Sequence, residues 1–392
     1  MKNNTQQKLD SLARKFSEIS ADDVDVYGNG DAPNGKYYRS YNQREALAAV
    51  PEAKTNRVIN RICDELKIEY KNGNTWRINQ VCLDQIKNHL NKGRNKDTHT
   101  ISRRASVVMI GILKGGAGKT SVATILATGM VSQASRMYRV LLIDLDPQKT
   151  ASSQLVPNMT KKDISIGDLM IHQGTSAEFS DKLELAIKET NFPNLNVITA
   201  ADRDRQYDIF VKEQEIAADQ KGESYSCYKD LERVIKAVEN DYDLILIDTP
   251  PHFTASNLSA HFVADNIVMP VKPSELDWDS AGMYMSFLSR TYDVLRYLGH
   301  EGYKNIKLLI SAQSPNSNAE SRLAHKLRMA AGMEHCFVTA IPRSDAILAT
   351  AEQRCTIFDM SVSEFSGTKT SLRKAQESAN ALINEFELMI NE

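Results

Sequence analysis

The sequence predicts an α/β fold, a mostly parallel, doubly wound sheet, preceded by a small helical domain that ends in a hairpin. Three observations carry this. From Ala105 onward, short near-continuous apolar runs alternate with helix-period segments, the pattern of a sheet covered on both faces. A glycine-rich turn follows the first run and opens a helix. Ahead of Ala105 lie two short helical patterns and an Asn-Gly turn, then a charged linker.

At 392 residues the chain exceeds one ordinary domain, so two are expected. With 42% hydrophobic and 25% charged residues it reads as globular, neither fibrous nor disordered. The polar start predicts no signal peptide, and no run approaches a membrane span. Cys63, Cys82, Cys227, Cys336 and Cys355 are scattered without metal-ligand spacing, so reduced thiols in the cytoplasm are expected. The eight histidines do not cluster. Residues 1–105 carry six more basic than acidic side chains while the whole chain is at −2, an asymmetry that points the first part toward nucleic acid.

Taken in order, Leu9, Leu12, Phe16 and Ile19 recur at helical spacing and predict a helix over 6–19, packing on its own domain or on a second copy. Residues 20–36 are acidic and Gly/Asn-rich and read as a loop. Asn42 caps a helix from Gln43 to near Pro51, with Glu45 completing a capping box. A second helix over 54–67 turns Val58, Ile59, Ile62, Cys63 and Leu66 inward and Arg57, Asn60 and Arg61 outward. Strands at 68–70 and 75–78 flank Asn72-Gly73. Helix, turn, helix and hairpin together predict a winged helix-turn-helix, whose second helix would enter a major groove while Lys71 or Asn74 touches backbone. The bland alternative is a small α/β domain with a merely solvated basic face. Residues 91–104 are the linker.

Strands are expected at 107–113, 140–144, 195–199, 244–248, 266–271, 306–311 and 337–341, with helices such as 279–298 between them. The last helix, 371–390, has the apolar face Leu372, Ala375, Ala379, Leu382, Phe386 and Met389, read as core packing because its mixed charge and acidic end would repel anionic lipid. The division expected is 1–36 for the first helix and loop, 37–98 for the small domain and 99–392 for the sheet domain.

The turn reads LKGGAGKTS over 113–121. Gly115, Gly116 and Gly118 allow close approach, and with Ala117 and Ser121 the loop's N–H groups would wrap a triphosphate. Lys119 would reach the β- and γ-phosphates of ATP or ADP, and Thr120 would ligate Mg²⁺. The bland reading, a glycine turn with solvated lysines, fits less well because strand, loop and helix fall in the order the chemistry needs. The fold expected is therefore that of a P-loop NTPase. Asp144 and Asp146 (LLIDLDPQ) end one strand and Asp248 (LILIDTPP) ends another, where open α/β sheets bind ligands. Asp248 suits the Mg²⁺-associated acid, Asp144 a metal-bound water, and Asp146 the attacking water. A lone strand-end Asp is often only a turn residue; two such strands after a phosphate loop point to nucleotide.

KGGAGKTS, LLIDLDPQ and LILIDTPP resemble the three signatures of the ParA/MinD group of deviant Walker A ATPases, over about Ala105 to the C-terminus. The N-terminal extension and the segment from Ile341 to Phe365 resemble the large ParA proteins that segregate plasmids and secondary chromosomes. The resemblance implies that Lys114 crosses a dimer interface to the partner's ATP, that Lys119 and Thr120 act in cis, that Asp146 is the catalytic acid and Asp248 the Mg²⁺-linked one. It implies that Pro342 and Arg343 lie near adenine and that Asp277 is at the interface. It further implies a cytoplasmic, nucleoid-associated homodimer, with filaments possible in the group, that binds non-specific DNA and is stimulated by a ParB-type centromere-binding protein. The small domain would bind operator DNA. Candidate non-specific DNA contacts are Arg354, Lys369, Arg373 and Lys374. The alternatives are a MinD-like positioning ATPase on a membrane or protein cargo, a metabolic relative, and a repressor with a nucleotide switch. The basic amphipathic end that a membrane would require is missing, as are cysteines near the aspartate motifs that a cluster-bearing reductase would require.

Overall fold

The computed structural model describes residues 5–15, 30–73, 75–92, 104–314 and 316–391. Residues 5–15 are helical, with Leu9 and Leu12 exposed. Phe16, Ile19, Asn74 and most of the expected linker lie outside the described residues.

The small domain runs β1 (Ser40–Tyr41), α1 (Gln43–Ala49), α2 (Asn56–Leu66), β2 (Lys71–Asn72), β3 (Thr75–Trp76), β4 (Ile78–Asn79) and α3 (Gln80–Lys92). The expected capping box is present: Asn42 Oδ1 accepts from the Arg44 and Glu45 amides at 3.0 Å, and the Glu45 carboxylate accepts from the Asn42 amide. Tyr41, Ile59, Ile62, Cys63, Leu83 and Ile86 form its core. The hairpin differs from expectation. Lys67 turns left-handed (φ 57°) and the Ile68 amide donates to Cys63 O, so helix termination takes 67 and 68, and Leu66 is left exposed. The paired residues are Lys71↔Trp76 and Asn72↔Thr75 around Gly73 (φ +58°), while Ile78 pairs back to Tyr41.

The large domain continues β5 (Ser106–Ile110), α4 (Lys119–Ser132), β6 (Val140–Asp144), α5 (Thr150–Leu155), α6 (Ile166–Met170), α7 (Ser176–Ala186), β7 (Ile187–Glu189), β8 (Leu195–Ile198), α8 (Tyr207–Asp219), α9 (Tyr228–Val238), β9 (Leu244–Asp248), α10 (Ala255–Val263), β10 (Asn266–Val271), α11 (Glu275–Tyr297), β11 (Asn305–Ile310), α12 (Asn318–Ala331), α13 (Asp345–Glu352) and α14 (Lys369–Asn391). The seven-stranded sheet has the order β11-β10-β5-β9-β6-β8-β7, parallel except for the edge strand β7. Val108 and Ile110 of β5 point into one core and Val107 and Met109 into the other, so the apolar run is continuous because both faces are buried. The final helix packs on α4, where Gly129 leaves room for Ile383 and Phe358. No described helix is long and apolar enough to cross a membrane.

One expected strand of the large domain is absent and one strand is unexpected. Residues 337–341 form no strand: only the Phe337 and Ile341 amides reach β11, while Val338 and Thr339 donate to the Glu385 carboxylate of α14. The short β7 has no apolar run to announce it.

Of the segment that reads as a loop, the described residues 30–36 form a strap across the domain seam, mostly buried. Asn34 is fully buried and donates to Leu155 O at 2.7 Å and Asn191 Oδ1 at 3.0 Å. Lys36 pairs with Asp359 at 2.5 Å, with both side chains 3% exposed or less. Arg39 donates to Phe358 O, and Lys87 of α3 caps the end of α4 at Ser132 O. Removing one partner of a buried pair strands the other charge. Lys36→Met is expected to destabilise the folded chain by about 3–5 kcal/mol in urea unfolding, and a Lys36→Met/Asp359→Leu double variant to cost less than the sum of the single changes.

Candidate functional site

The carboxyl ends of β5, β9 and β6 lie side by side, with Ile110 opposite Asp248 and Asp248 opposite Asp144. The loop leaving β5 therefore sits over two strand-end carboxylates. Gly116 (φ +70°) and Gly118 (φ +91°) adopt backbone conformations that residues with a Cβ resist. The turn is held from the neighbouring strand end, where Ser311 Oγ donates to Ala117 O at 2.7 Å. Ala117 is buried in the core beneath the loop.

A cleft of about 520 Å³ opens there. It is lined by Gly115 through Val122, by Asp146, and on the far wall by Pro342, Arg343, Ile347 and Leu348. The expected loop residues, including Lys119, Thr120 and Ser121, thus share one cavity with the Pro-Arg pair. Lys114 is outside the lining. Its ammonium lies 3.2 Å from Asp277 Oδ1 in the first turn of α11, where the Ser274 hydroxyl also holds the carboxylate. Lys119 is buried and donates to Lys114 O at 2.9 Å. Desolvation lowers its pKa, opposed by the charges of Asp248 and Asp146.

The two aspartates at the strand ends differ. Asp144 is satisfied by neighbours: Oδ2 accepts from the Ser152 amide (2.9 Å) and hydroxyl (2.7 Å), and Oδ1 from the Asp146 amide (3.0 Å). It scaffolds the start of α5, a commitment that residue pattern alone does not reveal and that competes with the expected role on a metal-bound water. Asp248 is fully buried and neither oxygen completes a hydrogen bond, although the Thr120 hydroxyl lies near enough to favour its charge. An unsatisfied buried carboxylate beside a threonine hydroxyl fits a hydrated Mg²⁺, whose bound waters are donors. Thr120 and Asp248 are the residues that would hold it. Asp146 faces the cleft with Oδ1 accepting from Gln148 N at 2.9 Å.

Sequence reasoning misses Lys272. It follows β10, lines the cleft and places Nζ 3.9 Å from where a Cβ on Gly116 would stand. Its signal is position alone: a cation just past the end of an apolar strand.

Of the expected DNA contacts, Arg57 and Arg61 are exposed on α2, with Arg61 3.5 Å from Glu65. Asn60 Oδ1 is occupied by the Trp76 indole N–H at 2.9 Å. Lys71 is exposed beside the Tyr70 ring. Lys369, Arg373 and Lys374 are exposed at the start of α14, and Arg354 is half-buried after α13.

Burial holds the carboxyl pKa values of Asp144 and Asp248 above the ordinary range, and for Asp248 the neighbouring Asp144 charge adds to the effect. Both keep their protons to higher pH when folded than when unfolded. Their contribution is therefore fully present below about pH 4; that of Asp144 is lost as pH rises through about 6, and that of Asp248 as pH rises through its own raised value. Scanning fluorimetry is expected to show this decline without nucleotide and a Mg²⁺·ADP stabilisation that grows with pH. Asp248→Asn is expected to raise the melting temperature at pH 8 by about 2–4 °C, the shift for roughly 1 kcal/mol in a domain of this size, and to lose the Mg²⁺ dependence.

Comparison with known proteins agrees with this architecture. The family model described as "AAA domain" (AAA_31) matches residues 105–297. Plasmid partition protein A of Escherichia coli is 25% identical over 283 residues, covering 70% of this chain and 69% of that protein. A putative replication protein A of Rhizobium rhizogenes is 26% identical over 316 residues, 79% of this chain and 74% of that one, and SopA of Escherichia coli K12 is 28% identical over 228 residues, 55% of this chain and 53% of that one. A solved structure named "Partition Protein" superposes with a TM-score of 0.67 at 18% identity over 99% of both chains. Cyanothece McdA, solved as an ATP complex, gives 0.52 at 17% identity over 70% of this chain and 96% of that chain. With the loop, the strand-end aspartates and the sheet order in place, the chain is a P-loop ATPase similar to the ParA-type plasmid partition proteins.

Proposed function

We propose that this ATPase partitions DNA by switching assembly state with ATP. The observation that carries the reading is the loop's second cation. Lys119 lines the cleft and would supply the positive charge in cis, while Lys114 lies outside that lining and rests on Asp277. A cation placed there is suited to the phosphates of a second copy, as an arginine finger supplied in trans would be. Two chains would then close on two nucleotides, and assembly would depend on the γ-phosphate. Gly115, Gly116, Gly118 and Ser121 would cradle phosphates, Pro342 and Arg343 would flank the base, and Asp146 would orient the attacking water. Mg²⁺, when bound through Thr120 and Asp248, neutralises phosphate charge. Loss of the γ-phosphate would reset the dimer.

The dimer would bind DNA without sequence preference, and a ParB-type centromere-binding protein would speed hydrolysis. The small domain would act as a winged helix-turn-helix on operator DNA, with Arg57 and Arg61 of α2 facing the groove, the Asn60 amide N–H still available, and Lys71 on the backbone. The exposed Lys369, Arg373 and Lys374 support phosphate contact by the ATPase domain.

Lys119→Ala is expected to lose nucleotide binding or hydrolysis. Lys114→Ala is expected to keep measurable nucleotide affinity but remain monomeric in sedimentation with a non-hydrolysable ATP analogue. Asp146→Ala is expected to dimerise yet hydrolyse slowly. DNA affinity measured across a salt series should differ between ATP and ADP and fall with salt; a flat response to both would overturn the reading.

A further inference from the structure

Three cations contributed by two domains face a single recess. Arg44 stands in the first turn of α1, and Lys369 and Arg373 stand on the first turns of α14; together they line a cleft of about 580 Å³ between the small domain and the ATPase domain. All three are exposed. Among the described residues none of them makes a side-chain ion pair. The carboxylate in the lining, Glu45, is committed to the α1 capping box. Three cations against that one carboxylate leave the recess with net positive charge.

Its two walls are fixed relative to each other. The buried Lys36–Asp359 pair, the Arg39 bond to Phe358 O and the Lys87 bond to Ser132 O tie the small domain to the ATPase domain. The cations are thus held together before any ligand arrives, which lowers the cost of binding a ligand that spans them. Such a ligand must present several anions at spacing, and a nucleic-acid backbone does so. In a helix-turn-helix the first helix crosses the backbone while the second reads the groove. A duplex lying on Arg57 and Arg61 of α2 would bring its phosphates past Arg44.

We propose that this seam is one composite site for the duplex DNA backbone, gripped jointly by Arg44, Lys369 and Arg373. The inference rests on the DNA-binding reading above and adds to it. DNA held by the small domain and DNA held by the ATPase domain share phosphate contacts, so the two modes exclude each other on one chain.

The test is fluorescence anisotropy of a labelled duplex of about 30 bp and arbitrary sequence with the full chain across a salt series. The variants are Arg44→Glu, Lys369→Glu/Arg373→Glu, Arg44→Lys, and Lys161→Glu/Lys162→Glu on an exposed loop. A glutamate in a first helical turn suits the helix N-terminus, so weakened binding does not report unfolding. Arg44→Glu and the Lys369/Arg373 variant are each expected to weaken binding several-fold and to make the log–log salt slope shallower by about one for each phosphate no longer neutralised, with Arg44→Lys close to the parent. Parent-like binding by Arg44→Glu while the Lys369/Arg373 variant fails would leave DNA on the ATPase domain alone and overturn the composite site. Equal weakening in the Lys161/Lys162 variant would reduce it to overall charge. Absence of salt-dependent binding by the parent chain would instead remove the DNA reading itself.

Discussion

A buried carboxylate without a hydrogen-bond partner is costly, and the nucleotide end of this sheet is built around one. Asp248 ends β9 beside Asp144, which ends β6, and both are fully buried. Asp144 is satisfied by Ser152 and the backbone, whereas Asp248 is not. The positive charge that acts on it, Lys119, is bonded to a loop carbonyl. Such a site is unfavourable on its own, and a divalent cation with its waters would relieve that cost. The fold stores that deficit at the point where the phosphate loop leaves β5.

The same need to satisfy buried polar groups shapes the cleft's surroundings. Asp144 anchors α5 through Ser152, and Ser152 Oγ in turn accepts from the Ala200 amide. The far end of α5 is held by the strap, where Lys36 and Asn34 donate to the carbonyls of Gln154 and Leu155. The phosphate-loop helix α4 is likewise capped at its far end by Lys87. Of the two helices that begin at the cleft, α5 therefore ends on the strap and α4 on the small domain, so the domains are coupled through rigid elements.

Much of this is legible in residue patterns. The loop, the aspartate-ended strands and the Asn42 cap are local: each needs only neighbours in sequence to declare it. Residues 337–341 fail as a strand because the amides of Val338 and Thr339 are taken by Glu385, 47 and 46 positions away. The hairpin shifts because the helix before it needs 67 and 68 to terminate. Lys272 carries no motif and is visible only by its place past a strand end.

The sequence by itself determined the chemistry of the phosphate loop, the parallel sheet and the acids at its edge. These follow from residue type and period, which are properties of short segments. Tertiary structure alone decided which aspartate is left unsatisfied, that Lys114 rests on Asp277, and that 30–39 is a buried strap. Each depends on partners brought together from distant segments, and hydrogen bonds and buried charges are settled by who is nearby, not by who is adjacent in the chain.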